Sequence, residues 1–135
     1  MSELEVTQAA LTGEHAAIYA YGVIGALLNN TEQSQALLAM NAHRLRRDTL
    51  VQRVVTLGGT PVQSSAAYDL PITVSDTASA RQLAAFIDDR CAGLQATLAG
   101  ASSGAERTAA VTSSQANAVR SVSWSGVSPV WYGSN

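Results

Sequence analysis

The apolar stripe of the predicted second helix is interrupted by two polar residues. If each residue advances by about 100° around a helix, one side of this helix is formed by Met40, His43, Arg47, Leu50 and Val54. A histidine and an arginine therefore lie in the middle of a face that is otherwise apolar. A face of this kind turns toward the protein core, so both polar side chains are predicted to be buried.

The first predicted helix has a similar face, with a carboxylate at its centre. That face is formed by Thr7, Leu11, Glu14, Ile18, Tyr21 and Gly25. A lone buried charge is costly, so charged groups that point into the same core are expected to meet. We therefore predict a buried polar cluster of Glu14, His43 and Arg47, and we take this cluster as the candidate site.

Capping residues and breaks in periodicity divide the chain into four helices and a tail. We predict helices over about 3–28, 31–57, 77–98 and 103–124, and a C-terminal tail over 125–135. Ser2 and Glu5 have the spacing of a capping box before helix 1. Gly58 and Gly59 end helix 2, and Gly100 is expected to end helix 3.

The segment between helices 2 and 3 predicts how the helices are connected. Residues 58–76 contain Pro61 and Pro71 and show no helical periodicity. A loop of this length is unusual in a compact domain, unless it crosses the bundle from end to end. About 19 extended residues reach about 60 Å, which exceeds the length of a 25-residue helix, about 38 Å. We predict a single all-α domain over 1–135, a ferritin-like four-helix bundle in which helices 2 and 3 are parallel.

Composition and charge narrow the function classes. The chain has 135 residues and a formal net charge of −2, which gives no electrostatic basis for binding nucleic acid. The longest apolar run, 16–28, is shorter than the roughly 17–25 residues that span a bilayer. The acidic N-terminus differs from a secretory signal, and a single cysteine, Cys91, is compatible with a reducing compartment. We expect a cytoplasmic protein that does not associate with membranes.

Several short motifs occur in a characteristic order. They are Glu14-His15-Ala-Ala-Ile-Tyr19-Ala-Tyr21-Gly22, His43-Arg-Leu-Arg-Arg47-Asp48, Gly59-Thr-Pro61, Tyr68-Asp-Leu-Pro71, and Ala116, Arg120 and Trp124 on helix 4. The chain thereby resembles DUF4439, a family of actinobacterial ferritin-like domains of unknown function. The resemblance implies a ferritin-like bundle and no established activity.

A count of potential ligands predicts that the bundle holds no metal and no cofactor. A di-iron site needs a Glu on each of two helices and a Glu-x-x-His motif on each of the other two. Glu14 and His43 have suitable positions, but Met40 stands where a bridging Glu is required. Helix 3 offers Asp88 and Asp89 only beside its apolar stripe, and helix 4 offers no carboxylate or histidine at mid-helix.

Three further residues are secondary candidates. His15 lies at the edge of the helix 1 stripe and is expected to be a partly exposed partner of the site. Tyr21 is expected to be a core or interface aromatic, and Arg120 belongs to the helix 4 motif of the family. Cys91 is expected to be an inert buried thiol.

Helix 1 has a second apolar face, formed by Ala9, Ala16, Ala20, Val23, Ile24 and Leu27. One bundle is expected to cover only one of the two faces well, so we predict a homodimer that associates through helix 1 or the aromatic tail.

Two function classes stay open. One is a non-catalytic interaction or scaffold module, and the other is an enzyme or binder of a small molecule or metal that uses a pocket around Glu14, His43 and Arg47. A fully paired cluster without a cavity favours the first class, and a roomy pocket favours the second.

Overall fold

Residues 1–126 are described by a computed structural model, and this part of the chain forms four α-helices and no β-strand. The helices are α1 (Glu3–Ala26), α2 (Asn30–Thr56), α3 (Thr77–Ala101) and α4 (Gly104–Ser125). The predicted all-α four-helix class is confirmed. No helix within residues 1–126 is long and apolar enough to cross a membrane. The predicted tail, with Trp131 and Tyr132, lies almost wholly outside the described residues.

Side-chain caps fix the start of two helices. The Ser2 hydroxyl accepts a hydrogen bond from the backbone N–H of Glu5 at 3.1 Å, as the capping-box spacing predicted. Asp76 caps α3 in a reciprocal arrangement with Ser79. These bonds satisfy backbone donors that have no partner inside a helix.

The third helix continues past its predicted end at Leu98. It runs through Gly100 to Ala101, because a glycine inside a helix costs only about 1 kcal/mol relative to alanine. Arg107, in the first turn of α4, donates from Nε to the carbonyls of Ala99 and Ser102 at 3.0 and 2.9 Å. These bonds satisfy carbonyls at the end of α3.

The order of contacts along α2 and α3 shows that these helices are parallel. Glu32 near the start of α2 pairs with Arg81 near the start of α3. Arg46, further along α2, bonds with Gln95, further along α3. The residue numbers rise together, which confirms the predicted crossover topology.

The two helical hairpins are antiparallel. In α1–α2, Glu3 pairs with Arg53 and Glu14 with His43, so the numbers rise in one helix and fall in the other. In α3–α4, the hydroxyls of Ser114 and Ser121 donate to the carbonyls of Ala92 and Ala85, respectively. Close packing joins α1 to α2, α1 to α3, and α3 to α4.

The crossover lies along α1. Gln8 donates to the Thr60 carbonyl at 2.6 Å and accepts from the Val62 N–H at 2.9 Å. Further along, the rings of Tyr19 and Tyr68 are 5.7 Å apart. The last part of the crossover contributes apolar side chains to the core, namely Leu70, Ile72 and Val74.

The burial of α1 side chains corrects one expectation about this helix. The second apolar face of the helix was expected to stay uncovered and available to a partner. Ala16, Ala20 and Ile24 of that face are buried within the chain itself. These residues are covered because α3 packs on α1 and brings Leu83 and Ile87 into the same core cluster as Ala20 and Ile24, while Ala9, Val23 and Leu27 of the face are half-buried.

The apolar core is divided into two clusters. One contains Val6, Leu11, Leu50, Val54 and Leu98, and the other contains Tyr21, Ile24, Leu83, Ile87 and Trp124. Between their positions along α1 lies the buried carboxylate of Glu14. The core therefore has a polar layer near the middle of the bundle.

Candidate functional site

His43 is the centre of the polar layer. α2 carries it on the apolar face that periodicity predicted, and the side chain is almost wholly buried. Nδ1 lies 2.5 Å from Oε2 of Glu14 on α1, and Nε2 lies 3.0 Å from Oδ1 of Asp88 on α3. The predicted meeting of Glu14 with His43 is therefore observed, and the imidazole bridges two buried carboxylates.

Asp88 connects this histidine to α4. Its Oδ1 accepts a hydrogen bond from Arg120 Nη1 at 2.8 Å, in addition to the contact with His43. Its other oxygen accepts from the hydroxyl of Tyr21, which in turn accepts from Trp124 Nε1 at 2.8 Å. We call Glu14, His43, Asp88 and Arg120 the charge cluster; each of the four helices supplies one member.

The charge cluster determines the protonation of His43. Burial is the largest single influence and lowers the pKa of this imidazole. Hydrogen bonds to Asp88 and Glu14, together with the charges of both carboxylates, outweigh burial and raise the pKa to about 9. His43 is therefore an imidazolium at neutral pH.

Tyr21 joins the same network as a neutral donor. Burial of its hydroxyl, and then the charge and hydrogen bond of Asp88, raise the pKa of Tyr21 far above its ordinary value. The secondary candidates Tyr21 and Arg120 thus contact Asp88, but His15 does not. His15 Nε2 lies 3.0 Å from the carbonyl of Val62 in the crossover.

Arg47 is not part of the charge cluster, and its predicted place in the core was wrong. Its Nε bonds to Asp48 at 3.0 Å, and its side chain is 33% exposed. Arg47 keeps its guanidinium at the surface beside Asp48, whereas full burial next to Glu14 would add a desolvation cost. The arginine of α2 that reaches the polar layer is Arg46, which donates from Nε and Nη2 to Gln95 Oε1 at 3.2 and 2.9 Å.

Sequence reasoning missed two buried polar residues of α3. Asp88 and Gln95 lie beside the predicted stripe, and the amide of Gln95 faces Oε1 of Glu14 at 3.4 Å. The available signal is their spacing: they occur seven residues apart, on either side of Cys91 of the stripe. That spacing repeats every two helical turns and places both on one face.

Three buried side chains are close enough to share a metal ion. Ligand atoms of Glu14, His43 and Cys91 lie within 4.8 Å of one another. The Cys91 thiol contacts the carbonyl of Gly13 at 3.7 Å. Its burial, and then the charges of Glu14 and Asp88, raise the pKa of the thiol well above its ordinary value. Cys91 is therefore a protonated thiol, as expected for an inert cysteine.

A cleft between α2 and α4 opens onto the polar layer. It has a volume of about 350 Å³, and its polar lining is formed by Glu14, His43, Arg46, Thr112, Ser113, Asn117 and Arg120. Its apolar lining consists of three alanines, Ala42, Ala109 and Ala116. We call it the α2–α4 cleft. A cavity thus lies beside a histidine that is fully paired. The paired histidine favours a scaffold module and the cavity favours a binder or enzyme, so both function classes stay open at this point.

The raised pKa of His43 predicts how stability depends on pH. The folded pKa of about 9 exceeds the ordinary value of about 6.5, so protonated His43 stabilises the native state fully below about pH 6.5. This contribution is lost as the pH rises through about 9, and its loss amounts to about 3 kcal/mol. Urea unfolding between pH 6 and 10 measures it. In His43→Gln, the part of the decline due to this residue should vanish; an unchanged decline would contradict the assignment.

Removing the shared carboxylate should destabilise the bundle strongly. Asp88→Ala leaves His43 with one carboxylate and Arg120 with none in the charge cluster, and breaking a buried pair typically costs about 3–5 kcal/mol. The matched control is Asp89→Ala on the exposed side of the same helix, where about 0.5 kcal/mol or less is expected. Equal unfolding free energies for the two aspartate variants would refute the central role of Asp88.

The exposed pair of Arg47 should contribute little to stability. Arg47→Ala should cost less than about 1 kcal/mol of unfolding free energy.

Comparison with known proteins agrees with this architecture. The crystal structure of rv2844, a conserved hypothetical protein from Mycobacterium tuberculosis, is similar, with a TM-score of 0.88 and 30% sequence identity. The similarity covers 93% of this chain and 96% of that chain. No protein with a curated description matches. Residues 6–131 match a family described as a domain of unknown function, DUF4439. The resemblance drawn from the motifs is confirmed, and the chain belongs to the DUF4439 family.

Proposed function

We propose that this protein is a non-catalytic helical module that acts through contacts with protein surfaces, and that its charge cluster replaces the metal site of a ferritin-like bundle. The observation that carries the proposal is the position of His43 between two carboxylates, at 2.5 and 3.0 Å. With a pKa of about 9, the ring is an imidazolium at neutral pH. An imidazolium uses both nitrogens as donors and has no lone pair for a metal.

The residues around His43 support the same proposal. Met40, three residues before it, is a thioether in a position where a di-iron bundle has a glutamate. On α4, Asn117 and Arg120 face the polar layer in place of a Glu-x-x-His motif. Arg120 is always protonated, and it already neutralises Asp88 at 2.8 Å. The charges of the cluster are thus balanced by side chains.

A site for one metal ion is the second candidate, and the proximity of Glu14, His43 and Cys91 favours it. Metal binding there would require loss of one proton from the His43 imidazolium and of the proton on the Cys91 thiol. Both groups have a raised pKa, so at neutral pH each deprotonation opposes binding. This candidate therefore ranks below the structural charge cluster.

Metal analysis separates the two candidates. Protein purified from cells grown with added zinc, iron and manganese should contain none of these metals in stoichiometric amount, because the site is occupied by its own cation. The measurement is elemental analysis after gel filtration. A stoichiometric metal that is lost in His43→Ala and Glu14→Ala, but kept in the control His15→Ala, would replace the proposal with the metal site.

We also propose that the module assembles as a homodimer with two-fold symmetry, the commonest form of assembly. The second apolar face of α1 is partly buried within the chain, so we propose the face of α2 that carries Leu38 and Leu45 as the interface in place of α1 or the tail. Each of these leucines is 70% exposed. Their seven-residue spacing places them on one side of the helix and is typical of helix pairs that pack along their length. The proposed occupant of this face is α2 of a second copy.

Light scattering tests the dimer. At tens of micromolar the protein should have twice the chain mass of 14.0 kDa. Leu45→Glu should be monomeric and keep its helix content by circular dichroism, since this side chain is 70% exposed in its own chain. Gln82→Glu, an equal change of charge at an exposed site on α3, should stay dimeric. A wild-type protein of 14.0 kDa under these conditions would exclude the dimer.

A further inference from the structure

We propose that the α2–α4 cleft binds a small organic carboxylate, and that Arg46, Arg120 and Asn117 hold its carboxylate group. This role goes beyond the proposed structural module, because it assigns a ligand to a cavity that the charge cluster does not need. It rests on an amide donor without a partner, on a half-buried arginine without a carboxylate partner, and on the charge of the lining.

The amide donor is Nδ2 of Asn117. This side chain lines the cleft and is 4% exposed. Its Oδ1 accepts a hydrogen bond from Arg120 Nη1 at 3.0 Å, which fixes the orientation of the amide. Nδ2 is buried and has no hydrogen-bond partner within residues 1–126. An unsatisfied buried donor costs about 1–3 kcal/mol. A turn of the Asn117 side chain toward the cleft would let an acceptor bound there remove this cost.

The half-buried arginine is Arg46. Its guanidinium donates to two neutral oxygens, Gln95 Oε1 and Thr49 Oγ1. Among the described residues, no carboxylate lies within ion-pair distance of it, although the charges of Glu14 and Glu106 act on it from further away. Burial is the main influence on Arg46 and lowers its pKa. An anion in the cleft would provide the missing counter-charge.

The charge of the lining favours an anion with a single charge. His43, Arg46 and Arg120 are cationic, and Glu14 and Asp88 are the carboxylates in contact with this layer. Glu106 acts on Arg46 only from a distance and faces Arg53 at 4.0 Å, so the groups in direct contact carry one excess positive charge, which a carboxylate balances and a phosphate dianion exceeds. A planar carboxylate also matches the planar donors of a guanidinium.

The shape of the cleft favours an organic acid with a compact apolar body. Three alanine side chains form its apolar wall, and the hydroxyls of Thr112 and Ser113 lie at the same cleft. A volume of about 350 Å³ is at the small end of ligand pockets. Benzoate, which combines one carboxylate with a compact ring, is therefore a suitable probe.

The first experiment uses the unaltered protein in a buffer free of carboxylates and phosphate. Benzoate is titrated to millimolar concentration, and the side-chain amide signal of Asn117 is followed by nuclear magnetic resonance. We expect a saturable shift of this signal. Absence of saturation would overturn the proposal, and so would a stronger response to inorganic phosphate than to benzoate.

The second experiment compares two arginines of α2 by calorimetry with the same probe. Arg46→Gln should weaken benzoate binding at least about tenfold, the effect expected for loss of a charge-assisted contact. Arg44→Gln removes the same charge from an exposed residue that contacts Asn41, and it should change the affinity less than about twofold. If both substitutions weaken benzoate binding equally, the loss reflects only the change in net charge, and the proposal is overturned. Because the assay measures benzoate rather than metal or dimer content, its failure leaves the structural module standing.

Discussion

The carboxylate of Asp88 is the group on which the arrangement of the four helices depends. It accepts from His43 of α2, Arg120 of α4 and Tyr21 of α1, while it is itself part of α3. An ionised carboxylate buried without partners would be far too costly in a core of this kind. Its three partners come from the three other helices, so its full set of bonds forms only when all four helices are in register. Most of the buried side chains belong to the two apolar clusters, but the polar layer determines which side chains of different helices meet.

The sequence predicted that Glu14 meets His43 in the core, but it did not identify every residue of the candidate site. Glu14 and His43 could be found because each lies at the centre of an apolar stripe, where burial forces a charged group to find a partner. Arg47 was misplaced because periodicity gives the direction of a Cα–Cβ bond, while a long arginine side chain can turn toward solvent. Asp88 lies beside its stripe and was not assigned to the core. Arg46 reaches the polar layer through Gln95, a contact between helices that no local pattern encodes.

The same limit applies to the fold. The length of the loop, together with Pro61 and Pro71, was enough to predict the crossover and the parallel pair of helices. The surface that the crossover covers could not be predicted, because an irregular segment has no period from which a buried face can be read. Its attachment depends instead on individual contacts, such as those of Gln8 with the backbone of Thr60 and Val62. Those contacts place it along the side of α1 that carries Gln8, His15 and Tyr19.

The distribution of the buried charges has a consequence for how the chain assembles. Glu14 and His43 belong to the first hairpin, and Asp88 and Arg120 belong to the second. Each hairpin can therefore neutralise its own buried ions through contacts between helices that are neighbours in the chain, before the halves dock. Docking of the two hairpins then adds the bond between His43 and Asp88. The groups that docking buries are ion pairs already, so no unpaired ion loses its contact with water. With a long connection between them, the second hairpin of one chain can replace that of another without leaving an uncompensated charge, which is a condition for domain swapping.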